Sequence, residues 1–212
     1  LTEGGSMTDI YVYNQLTKDN NGNIKVDQNG NLGITSSNTP VKVGNLDADF
    51  NLGWTNHFTY KGIDLGVVLS ARVGGLAYSA TQGILDYYGV SGTSATARDN
   101  GGIPINNGKV NAQKYYQTIG TGEGGYGRYY LYSATNVRLQ ELSLNYTLPK
   151  RWFKNVANVT LGIVGRNLWM IYCKAPFDPE LSASTSSNYY MNVDYFMQPS
   201  LRNFGFNVKV QF

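Results

Sequence analysis

Apolar and polar positions alternate along several stretches of this chain, most cleanly at its end. In residues 200–212, Phe204, Phe206, Val208, Val210 and Phe212 share one phase, and Asn203, Gly205, Asn207, Lys209 and Gln211 share the other. A period of two held this long predicts a β-strand with one apolar and one polar face. Residues 50–60 repeat the pattern through Phe50, Leu52, Trp54, Phe58 and Tyr60, with Asn56 the one exception. After the two-residue break Lys61 and Gly62, the positions Ile63, Leu65, Val67, Leu69, Ala71 and Val73 continue it, which predicts a hairpin with a tight turn. Between 130 and 148 the apolar phase holds at Val137 and Leu139, slips near Gln140 and Glu141, and resumes at Leu142, Leu144, Tyr146 and Leu148. That slip predicts a β-bulge. A further strand sets Val159, Leu161, Ile163, Trp169 and Ile171 on one face, with Asn167 interrupting it.

The connections carry the next piece of information. Residues 1–47 read as a loop with small hairpins, signalled by NNGN and DQNGN after an apolar patch at residues 10–13. Thereafter the connections alternate: short at 61–62, long at 74–129, short at 149–155 and long at 173–199. Antiparallel strands joined this way place every short turn on one rim and every long loop on the other, as outer-membrane barrels do. A soluble sandwich has no reason for that asymmetry, and a loop as long as 74–129 counts against a compact soluble domain. The pattern therefore predicts an all-β fold, an antiparallel transmembrane β-barrel, whose apolar face meets lipid and whose polar face lines a wet lumen.

Composition strengthens this reading. Only 15% of residues are charged, against roughly 25% in ordinary soluble domains, while Gly (25) and Tyr (17) are over-used. Such a profile suits alternating strands with aromatic girdles, to which Trp54 and Trp169 are assigned. A net charge of +3 without a Lys/Arg run gives nothing to track phosphates, so no nucleic-acid partner is expected. The lone Cys173 excludes a disulfide framework and a multi-thiolate metal site. No run of about 18 apolar residues exists to form a transmembrane helix. The opening LTEGGSMTDI carries no signal-peptide pattern and suggests a piece of a longer chain.

Several long motifs, in order and in register, add a resemblance. They are NLDADFNLGWTNHFTYKGIDLGVVLSARVGG, YLYSATNVRLQELSLNYTLPK, GRNLWMIY, KAPFDPE and PSLRNFGFNVKVQF. Together, over most of residues 40–212, the chain resembles the C-terminal end of SusC-like TonB-dependent outer-membrane transporters of Bacteroidota-type bacteria. The resemblance implies a plugged barrel of about 22 strands, of which the five or six strands here are too few to close a wall. It also implies three parts absent from this chain: a plug domain, a segment that engages the TonB complex, and a SusD-like surface lipoprotein over the extracellular mouth. It further implies that the closing strand, with Phe204, Phe206, Val208, Val210 and Phe212, acts as a barrel-assembly signal.

Candidate chemistry is sparse. Tyrosines in the long loops, Tyr87, Tyr88, Tyr115, Tyr116, Tyr126, Tyr189 and Tyr190, are amphipathic rings that could stack on a substrate, contact a lid protein or pack the loops together. Arg138 with Glu141, and Arg166 with Asn167, read as lumen-facing or rim residues rather than catalysts. Asp178 and Glu180, in FDPE, have the oxygen chemistry of a hard-cation site, against which a loop brace stiffened by Pro176 and Pro179 is the plainer role, so no metal is expected. Nucleophilic hydrolysis needs an imidazole, and only His57 is available, on the polar face near a short turn. TGEGGYG follows no strand and opens no helix, which rules out a phosphate loop. Neither an enzyme nor a cofactor is expected.

These readings converge on import of a glycan or peptide across the outer membrane, with this chain supplying wall and extracellular loops. Two alternatives stay open: a self-contained structural or adhesive barrel without transport, and a secreted carbohydrate-binding sandwich.

Overall fold

The computed structural model describes residues 3–120, 127–181 and 192–212. In chain order the strands and helices are β1 (Asp9–Leu16), β2 (Ile34–Asn45), β3 (Phe50–Tyr60), β4 (Ile63–Val73), β5 (Leu76–Ser79), α1 (Ala80–Tyr87), α2 (Gly92–Asp99), β6 (Ile103–Ile105), β7 (Gly108–Val110), α3 (Ala112–Ile119), β8 (Leu131–Ser133), β9 (Asn136–Thr147), β10 (Asn158–Cys173), β11 (Val193–Asp194) and β12 (Asn203–Gln211). They form two compact units interleaved along the chain. A wall unit holds residues 48–74, 134–179 and 198–212, and a loop unit holds residues 1–47, 75–133 and 180–197.

The wall is one antiparallel sheet in the order β12-β10-β9-β4-β3. Paired residues share a face, so the register can be followed straight across it. One row reads Phe58, Leu65, Leu144, Ile163 and Phe206; the next reads Tyr60, Ile63, Tyr146, Leu161 and Val208. All five strands thus turn their apolar phase to the same side. Trp54, Leu69, Leu139 and Trp169 make up another row of that face. Its residues stay open to the surroundings, with Phe58 at 52%, Ile163 at 56% and Phe206 at 70% exposure. An apolar face this continuous belongs against another apolar medium, because a soluble monomer rarely exposes such a patch. Strands of 9 to 16 residues are long enough to cross the hydrocarbon layer at a tilt.

The short turn at Lys61 and Gly62 has positive φ at both residues, 47° and 88°. That is the turn whose twist matches two right-handed strands. The phase slip at Gln140 is a bulge: Val68 pairs with Glu141, but Leu69 pairs with Leu139. Leu139 and Leu142 are three residues apart and would face opposite ways in a regular strand; the extra residue returns both to the apolar face. On β10 the matching irregularity falls between Arg166 and Trp169, and Asn167 there is left-handed, with φ 53°. A second shift between Met170 and Tyr172 corrects the sequence reading at the top of this strand. The apolar row continues through Tyr172 opposite Val137, and Ile171 is the bulged residue.

The loop unit is far more structured than its Gly- and Asn-rich sequence predicts. β1 and β2 pair antiparallel, and between them the pattern D-x-N-G-N occurs twice, from Asp19 and from Asp27. Each aspartate accepts hydrogen bonds from backbone amides two and four residues on: Asn21 and Asn23 at 2.8 and 2.9 Å, Asn29 and Asn31 at 2.8 and 2.7 Å. These self-capped turns hold both carboxyls below the usual carboxylate range. Among its described residues, the long interval between β4 and β9 contains three α-helices, each started by a side-chain cap. Ser79, Ser91 and Asn111 accept the backbone N–H of Gln82, Ser94 and Lys114. Leu16, Leu32, Ala97, Ile105, Val110, Ile119 and Tyr130 make its core.

Candidate functional site

On the polar face of the wall the sheet brings together residues distant in sequence. Arg138 of β9 forms a bidentate pair with Asp178: Nη2 donates to Oδ1 at 2.6 Å and Nη1 to Oδ2 at 3.1 Å. Nη1 also donates to Asn167 Oδ1 at 2.9 Å. Ser200 Oγ donates to Asp178 Oδ2 at 2.5 Å, and Asn167 Nδ2 donates to Ser200 Oγ at 2.8 Å and to the Leu201 carbonyl at 3.2 Å. The left-handed bulge at Asn167 aims its carboxamide into this cluster, which ties the segments after β10 and before β12 to the wall. The charged side chains of Arg138 and Asp178 are only 4% and 9% exposed. Their pairing is of the strong, charge-assisted kind.

The other sequence candidates of the wall are placed more simply. Glu141 does not meet Arg138; it accepts from Arg166 Nε at 2.8 Å in an open pair of the kind worth at most about 1 kcal/mol. His57 is exposed and lies 4.0 Å from Asp64. Cys173 Sγ lies 3.4 Å from the Ala175 carbonyl. Glu180 belongs to the loop unit. Among the described residues no group of three or more His, Cys, Asp or Glu side chains gathers to hold a metal ion. No helix among them is long and apolar enough to cross a membrane. Phe204, Phe206, Val208 and Val210 stand in one row of β12, 48 to 80% exposed, and Phe212 beyond it is 98% exposed.

In the loop unit α1, α2 and α3 surround a cleft of about 530 Å³. Tyr87, Tyr88 and Tyr116 line it; Tyr115 does not. The two tyrosine pairs are each edge-to-face, with centroids 5.2 and 5.3 Å apart. Tyr88 is open to solvent, while Tyr116 is nearly buried and Tyr115 packs beside it against the core. Tyr126, Tyr189 and Tyr190 lie outside the described residues. Sequence reasoning did not find the cleft's centre, the buried Asp86. Its carboxylate accepts from Ser91 Oγ, Thr93 Oγ1 at 2.9 Å, Gln82 Nε2 at 2.9 Å and Tyr130 Oη at 3.1 Å. Burial, reinforced by that negative charge, pushes the Tyr130 and Tyr116 phenols up from their ordinary range. A visible clue was the Ser79/Ser91/Asn111 series of caps, each followed by helix-compatible residues.

Comparison with known proteins fits this geometry. The chain is 26% identical over 201 residues, 92% of its length, to TonB-dependent receptor P3 of Formosa agariphila. Its fold matches the RagAB peptide importer in the closed-closed state, with a TM-score of 0.56, 18% identity and 96% of the chain covered. The open-open state of that importer gives a TM-score of 0.58 at 17% identity over 95% of the chain. The chain resembles part of a TonB-dependent receptor in sequence and part of a barrel importer in fold. It spans about a fifth of each of these relatives, 19% of the receptor and 22% of the importer chains. No family model matches it. The wall sheet is accordingly a sector of an antiparallel transmembrane β-barrel. The relatives are a receptor and importers rather than enzymes, in agreement with the sequence reading.

Proposed function

We propose that this chain forms wall and extracellular loops of a transporter that imports a glycan or peptide across the outer membrane of a Gram-negative, Bacteroidota-type bacterium. The observation that carries the reading is the wall itself: five strands present predominantly apolar rows on one face and charged, hydrogen-bonded residues on the other. A wall of that kind separates lipid from an aqueous passage. In this reading the remainder of the transporter supplies the plug and the contact to the TonB complex, and a SusD-like surface lipoprotein closes the mouth. The relation to a TonB-dependent receptor supports the first part; the likeness to RagAB supports the second through shared fold alone. Phe204, Phe206, Val208, Val210 and Phe212 serve assembly, as a regular amphipathic strand that assembly machinery can pair with. Uptake of labelled glycans or peptides by cells carrying the full-length transporter should stop when a protonophore collapses the energy supply to TonB. Uptake that continues unchanged would refute energised import.

Sidedness follows from the same reading. The long connections lie outside the cell, and the turns at 61–62 and 149–155 lie in the periplasm. Val90 and Val156 are suitable reporters, 68 and 67% exposed. With Cys173 replaced by serine, Val90→Cys is expected to react with a membrane-impermeant maleimide on intact cells. Val156→Cys is expected to react only after the outer membrane is breached. The reverse pattern would invert the topology.

A further inference from the structure

We infer that residues 192–196 form a detachable strap, which docks as an added strand on β5 and sets the start of α1. The inference goes beyond import and does not depend on it. Its basis is the way this short segment is held. Val193 and Asp194 of β11 pair in parallel with Tyr78 and Ser79, alongside the antiparallel β5–β8 pair. The Tyr78 N–H donates to the Asn192 carbonyl at 2.9 Å, and Asn192 Nδ2 donates to the carbonyls of Leu46 and Leu76 at 2.8 and 3.3 Å. Ser79 Oγ donates to Asp194 Oδ2 at 2.7 Å, and the Phe196 N–H donates to Thr81 Oγ1 at 2.6 Å.

Two features make this docking reversible. It is polar, since the apolar core of the loop unit contains none of the strap's residues, and a parallel pairing of two residues adds little. It is also strained. The backbone is left-handed at both ends, with φ 56° at Asn192 and 48° at Phe196. Asparagine tolerates that region, but a bulky phenylalanine is held there only by its surroundings. Releasing the bond to Thr81 lets Phe196 relax, so detachment recovers strain that docking maintains.

Ser79 turns this contact into a device. Its hydroxyl donates to Asp194 while accepting the Gln82 N–H at 3.1 Å, which makes it both the strap's partner and the cap of α1. Docking thus fixes the capping hydroxyl and brings a carboxylate to the positively polarised start of the helix. Detachment withdraws both. The first turn of the helix that carries Asp86 is then loosened, and the state of the segment after β10 is passed to the helices of the loop unit.

Hydrogen exchange resolved to single amides, in the full-length transporter purified in detergent, tests this without any substitution. The Tyr78 and Phe196 amides should share one protection factor, about tenfold or more below that of Tyr115, whose N–H donates to the Asn111 carbonyl. Asp194→Ala touches none of the bonds made by the Tyr78, Phe196 and Gln82 amides, yet it should lower the protection of all three together by about tenfold. Tyr115 should not change. In a Cys173→Ser background, Tyr78→Cys and Val193→Cys stand opposite each other on adjacent strands, within reach of a disulfide. Oxidising that pair should raise the protection of Phe196 by about tenfold, and a reductant should reverse the effect. Tyr78 and Phe196 amides protected as strongly as Tyr115, or to unequal degrees, would overturn the strap. Gln82 protection unmoved by Asp194→Ala would overturn its hold on α1.

Discussion

Replacing Leu142 by arginine in the full-length transporter is expected to abolish most outer-membrane assembly. Leu142 lies near the middle of β9, paired with Val67 on one side and Gly165 on the other, with its side chain on the apolar face. Neither paired neighbour offers a polar group, and mid-strand placement puts a guanidinium too deep to snorkel easily to either rim. An arginine at the bilayer mid-plane of a barrel costs about 2–4 kcal/mol, a large part of the roughly 5–15 kcal/mol by which proteins are stable. Ser143→Arg is the matched control. Its side chain points to the opposite face, where it is paired with Gly66 and Val164. The fraction of heat-modifiable protein in outer-membrane preparations measures both variants. Equal losses would show that the apolar rows do not face lipid.

Arg138→Met should lower the thermal stability of the assembled barrel as strongly, by about 3–5 kcal/mol, because it strands a buried carboxylate. Asp178 would keep Ser200 as a donor, but a hydroxyl does not replace a bidentate guanidinium. A buried ion pair is itself of little net stabilising value, since desolvation offsets most of the attraction. The double variant Arg138→Met with Asp178→Leu is therefore expected to regain most of the loss. The midpoint of the heat-modifiability transition separates these cases. A double variant no better than Arg138→Met alone would mean that packing around Asn167 and Ser200, rather than charge pairing, holds this cluster.

Much of the wall was legible along the sequence because strand amphipathicity is a local property. Whether residue i shares a face with i+2 needs no knowledge of the partner strand, so the strands, the Lys61–Gly62 turn and the slip at Gln140 all left direct marks. The second irregularity, at Ile171, left none. Ile171 and Tyr172 are equally acceptable on an apolar face, and only the pairing of Tyr172 with Val137 distinguishes them. Asp178 illustrates the same limit. Its neighbourhood in sequence offers Glu180 as a companion carboxylate, whereas its actual partner, Arg138, lies 40 residues away.

The loop unit marks the boundary most sharply. Helices of eight residues are too short to persist alone, and their composition is as polar as that of a loop. What makes them helices is burial of Ala97, Ala112, Tyr116 and Ile119 in a core shared with Leu16 and Leu32, contributed by a stretch some eighty residues earlier. The tyrosines were visible as residues, but which of them would be core and which would line a cleft was not. The sequence by itself determined a two-faced antiparallel wall, because side-chain alternation is built into each strand. Only the tertiary structure decided the Arg138–Asp178 brace and the cleft around Asp86, because both depend on contacts between segments that sequence order keeps apart.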